Sequence, residues 1–156
     1  MNPNSTAKEQ SLNPTTVSRH EPKLKTAEKG QELDERIVTA LHAAADKKAL
    51  DLVVLDLREI ASFTDFFVLS SGANERQVQA IADEVLEKLK KNGHPAARVE
   101  GRKTAEWILL DYGDFIVHVF ADKARKFYDL ERLWREAKRV ELPAELVGTP
   151  SSLRTE

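Results

Sequence analysis

The stretch WILLDYGDFIVHVF, residues 107–120, most constrains the fold, because two apolar runs flank a short segment with a glycine at its centre. This pattern predicts a β-hairpin with a two-residue loop, either Tyr112-Gly113 or Gly113-Asp114. Both loops divide the side chains between the two faces in the same way, because they differ by two residues in pairing. A three-residue loop would exchange part of this division.

The two predicted faces of the hairpin differ in composition. The first carries side chains suited to a protein core: Ile108, Leu110, Tyr112, Phe115, Val117 and Val119. The second, called the mixed face below, carries large apolar, amphipathic and charged groups: Trp107, Leu109, Asp111, Asp114, Ile116, His118 and Phe120. Aromatic residues rimmed by polar groups are typical of a protein–protein interface. Burial under a terminal helix or the N-terminal residues explains the mixed face equally well.

Helical and strand patterns precede the hairpin. Apolar residues at spacings of three and four predict a first helix over about residues 32–48, and DLVVLDL and DFFVLSSG predict two strands. Asn74 is a typical N-cap for a second helix, which ends at KKNGHP, where Gly93 suits the left-handed closing position. A short strand around ARVEG leads into the hairpin.

The residues after the hairpin predict a third helix, capped by Asp122 and running to about Val140. Its apolar stripe is expected in the core and comprises Phe127, Leu130, Leu133, Trp134 and Ala137. The element order α-β-β-α-β-β-β-α predicts an α+β fold: one domain with a mixed sheet of about five strands and helices mainly on one face. The second and third helices are expected to share that face.

The domain limits follow from composition. Residues 1–30 contain three prolines and few large apolar side chains, so we expect a disordered leader. Residues 31–140 form the predicted domain, and residues 141–156 a flexible tail.

Overall composition narrows the classes of function. The 156-residue chain has no cysteine, which excludes disulfides, thiolate zinc sites and cysteine nucleophiles. Its formal charge of −2 gives no global attraction to phosphate, so we expect no direct sequence-specific nucleic-acid binding and favour a basic protein partner. It contains no apolar run near the roughly 20 residues of a membrane helix, so a soluble, cytoplasmic protein without membrane contact is expected.

Catalytic patterns are weak in this sequence. Nucleotidyl transfer requires a Gly-Ser turn closely followed by paired metal-binding carboxylates, and SSGANER has no such pair after it. The four histidines are not spaced as metal ligands, and no activated Ser or Thr accompanies His118. We therefore expect no enzyme, no metal and no cofactor; a diverged nucleotidyltransferase-like enzyme is the alternative.

Three segments together resemble a known family. FTDFFVLSSGANERQVQAIADEV, EGRKTAEWILLDYGDFIVHVF and KFYDLERLW occur in the order and spacing typical of the ribosomal silencing factors, the RsfS or Iojap-like family. The resemblance covers about residues 33–138. Position 74, usually Ser in that family, is Asn here, and either residue caps a helix.

The resemblance implies a fold similar to the nucleotidyltransferase core without its catalytic carboxylates. It also implies binding to the large ribosomal subunit through its ribosomal protein fourteen, which blocks joining of the small subunit and represses translation under nutrient limitation. The residues that it implies as partner-binding are Trp107, Leu109, Asp111, Tyr112, Asp114, His118, Arg125 and Tyr128. A homodimer that covers the same face with a second copy is a further possibility.

Overall fold

The computed structural model describes residues 33–146, all but the first of which belong to the unit Asp34–Glu156. The predicted leader and the last ten residues of the predicted tail lie outside this range. The helices are α1 (Glu35–Asp46), α2 (Glu75–Lys91), α3 (Asp122–Tyr128) and α4 (Leu130–Leu133). The strands are β1 (Leu50–Asp56), β2 (Phe66–Gly72), β3 (Arg98–Glu100), β4 (Trp107–Asp111), β5 (Phe115–Ala121) and β6 (Lys138–Arg139).

The strands form one mixed sheet in the order β3-β4-β5-β2-β1-β6. β2 and β5 are parallel, and the other neighbouring pairs are antiparallel. The predicted mixed sheet and α+β class are therefore confirmed. The sixth strand was not predicted, because β6 is only two residues long and pairs with the end of β1.

The hairpin has the predicted register. Trp107 pairs with Phe120 and Leu109 with His118, while the amide of Tyr112 donates to the carbonyl of Phe115 at 3.0 Å. The loop is therefore Gly113-Asp114. This confirms the two-residue loop and the division of the strand side chains between the faces; Asp114 is in the loop.

The two long helices begin where short polar side chains satisfy their free amides. Asp34 accepts from the amide of Arg36 at the start of α1, and Asn74 accepts from the amide of Gln77 at the start of α2. Gly93, just beyond α2, has φ +89°, as predicted. α1 packs on α2, which in turn contacts β2, β4 and β5.

The predicted third helix is wrong. α3 ends at Tyr128, Asp129 adopts a left-handed conformation with φ 50°, and α4 adds a single turn. Asp122 lies in the first turn of α3 and does not cap it. Because the helix is broken, the predicted apolar stripe is not maintained: Phe127 is 79% exposed and Leu133 69% exposed.

The expectation that the second and third helices share a face is also wrong. Residues 122–139, called the C-terminal segment below, cover the mixed face. Leu130 is buried against this face, with Ala124, Trp134 and Ala137 packed around it. Beneath it lie the strand residues Leu55, Phe67, Leu69, Ile116 and Phe120, together with Leu57 just after β1. α1 and α2 therefore lie on the opposite face, where they bury the first hairpin face.

The predicted tail begins within the described residues. Val140 is buried and its amide donates to the carbonyl of Val54 at 2.9 Å. Ala144–Leu146 form a 3-10 turn in which Leu146 is buried. The folded region thus extends at least six residues past the predicted boundary at residue 140.

Candidate docking surface

The C-terminal segment divides the mixed face into a covered part and an open margin. Ile116, His118 and Phe120 on β5 are buried beneath it, as in the alternative in which a terminal helix covers the mixed face. His118, which the family resemblance implies as partner-binding, is therefore not open to a partner in this structure. Trp107 and Leu109 on β4 remain half-buried. The neighbouring strand β3 is short and at the sheet edge, so the margin formed by β3 and β4 is open.

Trp107 is the first residue of β4 on this open margin. Its indole Nε1–H donates to Nδ1 of His118 at 3.0 Å, and its ring lies 5.0 Å from that of Phe120 and 4.7 Å from that of Tyr128. These contacts hold the ring in one orientation while leaving part of it accessible. A rigid, partly exposed tryptophan is a typical anchor for a protein partner.

Gly101 fixes the backbone from which Trp107 projects. It has φ +84°, and a Cβ there would overlap the carbonyl oxygen of Trp107. Only glycine satisfies both conditions. Neither condition is visible in the sequence, where Gly101 simply ends the predicted strand around ARVEG.

His118 supports Trp107 from within the protein. It is 3% exposed, and its ring lies edge-on to that of Phe67 at 4.5 Å. Burial lowers the pKa of His118 to about 3, so the imidazole is neutral at physiological pH. Because Nδ1 accepts the indole hydrogen bond, the proton is carried by Nε2. His118 therefore positions the tryptophan and does not reach a partner.

Two aromatic residues of α3 extend the exposed surface beyond the hairpin. Tyr128 is 45% exposed and packs on Trp107, while Phe127 meets the ring of Tyr128 at 5.0 Å. The family resemblance implies Tyr128 as a partner-binding residue, and the structure places it against Trp107. The sequence missed Phe127, which the helical period had assigned to the core.

Asp111 and Asp114 do not act as a pair. Asp111 lies on the open margin, where its carboxylate accepts from the amide of Gly113 at 2.9 Å and meets Arg98 at 3.4 Å. Asp114 instead forms a 2.8 Å ion pair with Arg36 of α1, toward the opposite face of the sheet. The rim of the margin is therefore formed by Asp111 with Arg98 opposite it on β3, and Glu100, opposite Leu109, pairs with the same arginine at 3.3 Å.

The remaining two residues implied by the family resemblance are buried. Tyr112 stacks on Phe115 at 5.0 Å on the first face, where burial raises its pKa to about 12. The Arg125 guanidinium donates to the carbonyl of Asp51 at 2.8 Å, the hydroxyl of Ser71 at 3.0 Å and the carboxylate of Glu131 at 3.1 Å. The structure thus brings together Trp107, Leu109, Asp111 and Tyr128, and separates the others from the open margin.

Metal-binding groups and cavities are the features of the fold that bear on catalysis. Within residues 33–146, no group of three or more His, Asp or Glu side chains is arranged to hold a metal ion. A cavity of about 730 Å³ lies where β2 leads into α2 and β5 into α3. Its two acidic lining residues are Glu75 and Asp122, and Asp122 is paired with Lys126 at 3.6 Å. Asp111 does not line this cavity. In the same part of the chain, no helix has the length and apolar character needed to cross a membrane.

Comparisons with known proteins agree with the sequence resemblance. A family model described as "Ribosomal silencing factor during starvation" matches residues 30–155. The chain is 43% identical over 108 residues to the ribosomal silencing factor of Halalkalibacterium halodurans, covering 69% of this chain and 92% of that protein. It is 38% identical over 112 residues to that of Bacillus subtilis, covering 70% and 95%.

A solved structure supports the same relationship. A crystal structure of a protein from Chromobacterium violaceum superposes with a TM-score of 0.65 at 35% identity. The alignment covers 72% of this chain and 90% of the other.

Proposed function

This chain belongs to the ribosomal silencing factor family, and from that membership we propose that it binds the large ribosomal subunit and blocks joining of the small subunit. The contact is proposed to be with ribosomal protein fourteen of the large subunit. The result is repression of translation in the cytoplasm when nutrients are limited.

The single observation that carries this proposal is the fixed, partly exposed ring of Trp107. Leu109 and Tyr128 extend it into an apolar surface, and Asp111, which pairs with Arg98 at 3.4 Å, supplies a carboxylate at the rim. We call Trp107, Leu109, Asp111 and Tyr128 the docking surface. Such a surface fits a partner that presents an apolar pocket bordered by Lys or Arg side chains.

The proposed mechanism is steric. The bound protein occupies space that the small subunit needs, so no bond is made or broken and no residue has to turn over a substrate. Inhibition should therefore depend on the number of occupied large subunits. An enzyme that modified the ribosome would instead inhibit at much lower amounts.

Light scattering during subunit joining tests the proposal. Purified large subunits are preincubated with increasing amounts of the protein, and small subunits are then added. We expect joining to fall in proportion to occupancy and to reach its minimum near one chain per large subunit. Unchanged joining at saturation would contradict the proposal, and so would full inhibition at about one chain per hundred large subunits, which would favour an enzyme.

A further inference from the structure

The C-terminal segment is positively charged, whereas the whole chain has a negative net charge. Residues 122–139 contain seven basic and four acidic side chains, a formal charge of +3, whereas the full chain carries −2. Six of the exposed side chains are cationic, and one, Glu136, is acidic. The low net charge of the chain therefore conceals a basic surface.

Two of these six exposed cations form ion pairs among the described residues. Lys126 pairs with Asp122 and Arg139 with Glu131. Among the described residues, no carboxylate lies within ion-pair distance of the other four exposed cations, which are Lys123, Arg132, Arg135 and Lys138. Arg125, in contrast, is buried and satisfied, and it holds the segment against the sheet. The structure thus separates a supporting arginine from four exposed cations without an ion pair among the described residues, one of which, Arg135, donates to the carbonyl of Arg132 at 3.2 Å.

The course of the segment spreads these cations across the sheet. It starts at the end of β5, crosses the mixed face and finishes as β6 beside the far end of β1. Ala124, Leu130 and Trp134 point inward to the apolar cluster, so the exposed residues point outward. Strands of seven residues make this crossing about 20 Å long.

An exposed aromatic ring lies among the cations. Phe127 is 79% exposed, and in sequence it follows Lys126 directly. Its neighbour Tyr128 packs on Trp107, so this basic surface is continuous with the docking surface. Cations with an accessible aromatic ring fit a flexible polyanion that carries flat bases, because the bases stack while the cations neutralise phosphates.

We propose that the exposed side of the C-terminal segment binds the sugar–phosphate backbone of single-stranded RNA, with Phe127 stacking on a base. Arg132, Arg135, Lys123 and Lys138 contact phosphates without reading sequence. The inference deepens the proposed function and rests on it for one point, that the RNA is ribosomal. It agrees with the expectation of no sequence-specific binding, because only the backbone and one stacked base are involved.

Fluorescence anisotropy with a labelled 12-nucleotide oligouridine RNA and the purified full chain tests this proposal. Four phosphate contacts predict that the logarithm of the binding constant falls with the logarithm of salt concentration at a slope of about −3. The double variant Arg132→Glu/Arg135→Glu should bind at least about tenfold more weakly at low salt, with a slope about 1.4 smaller in magnitude. Phe127→Ala should weaken binding about fivefold or more and leave the slope unchanged.

The matched control reverses the charge of two exposed lysines on the other side of the sheet. Lys90→Glu/Lys91→Glu makes the same change in net charge on α2, and its RNA affinity should stay within about twofold of the wild type. Circular dichroism confirms that each variant is folded. Equal losses in the two double variants would overturn the proposal, since they would show attraction to overall charge. Absence of RNA binding at low salt would overturn it as well.

Two further results separate this proposal from its alternatives. A polyglutamate peptide that binds as tightly as the RNA, together with an unaffected Phe127→Ala variant, would assign the surface to an acidic protein and overturn the RNA assignment. Failure of the proposed function gives a different pattern: the chain would bind oligouridine as described but would not sediment with large subunits. The RNA surface would then stand, and only its assignment to the ribosome would fall.

Discussion

The indole of Trp107 and the imidazole of His118 are joined by a 3.0 Å hydrogen bond from Nε1–H to Nδ1. One ring is partly exposed and the other is buried, so the bond connects the docking surface to the apolar cluster beneath it. His118 can accept this bond only while it is neutral. A neutral, buried imidazole thus helps to hold the partly exposed indole in place.

The first prediction concerns the pH dependence of stability. The pKa of His118 is about 3 in the folded chain, and near 6.5 in the unfolded chain, so between these values only the unfolded chain takes up the proton. Stability should therefore fall as the pH drops from 6.5 toward 3. The contribution of His118 should be about 2 kcal/mol smaller at pH 5 than at pH 7.

Urea unfolding at pH 7 and pH 5 measures this effect. From pH 7 to pH 5, the free energy of unfolding of His118→Phe should fall by about 2 kcal/mol less than that of the wild type. His42→Gln, at an exposed histidine of α1, should keep the full pH dependence and serves as the control. The same pH dependence in the His118 variant and the wild type would show that His118 is not held neutral.

The second prediction compares two glycines with positive φ. Gly93→Ala should cost about 1 kcal/mol of stability, because a Cβ there meets no atom within 4 Å and only backbone strain remains. Gly101→Ala should cost a further 1 to 3 kcal/mol or so, because its Cβ overlaps the backbone of Trp107. Chemical denaturation of the two variants measures the difference. Equal losses would show that Gly101 does not constrain the start of β4.

The third prediction concerns the support of the C-terminal segment. Arg125 is 8% exposed and its hydrogen bonds join α3 to β1, β2 and α4. Arg125→Leu should destabilise the chain by about 2 to 3 kcal/mol, because Ser71 and the carbonyl of Asp51 lose a buried donor. The exposed Arg132→Leu should change stability by less than about 0.5 kcal/mol. Thermal unfolding measures both changes, and a larger loss of stability in Arg132→Leu than in Arg125→Leu would contradict this assignment.

Local sequence signals predicted the parts of the fold that depend on local physics. The Asn74 cap, the end of α2 near Gly93 and the hairpin loop all follow from the conformational preferences of one or two residues. Each is correct in the structure. The same holds for the α+β class, since the order of elements restricts the possible sheets.

The errors concern features that depend on distant residues. A helical period shows which side of a helix is apolar, but it does not show which face of the sheet that side covers. Asp129 adopts the left-handed conformation that separates α3 from α4. Because this residue is not a glycine, the sequence gives no signal of the break. β6 is too short to give a pattern and forms only because the end of β1 is available.

The candidate site shows the same limit. The alternation of side chains along β4 and β5 placed Trp107 and His118 on one face correctly, but it did not show how deeply each side chain is buried. His118 and Phe120 are buried because the C-terminal segment lies over them, which depends on where α3 turns after β5. Tyr112 was assigned to the site from the family resemblance alone, although parity had already placed it on the first face.

The central claim is that the open margin of the mixed face binds the large subunit, and co-sedimentation through sucrose with the Leu109→Glu variant tests it most directly. Leu109 is half-buried beside Trp107, whereas Phe63, 57% exposed on the connection between β1 and β2, provides a matched Phe63→Glu control. We predict that Leu109→Glu weakens binding about 30-fold or more, equivalent to about 2 kcal/mol, and that Phe63→Glu stays within about threefold of the wild type. Wild-type binding by a folded Leu109→Glu variant would contradict the account.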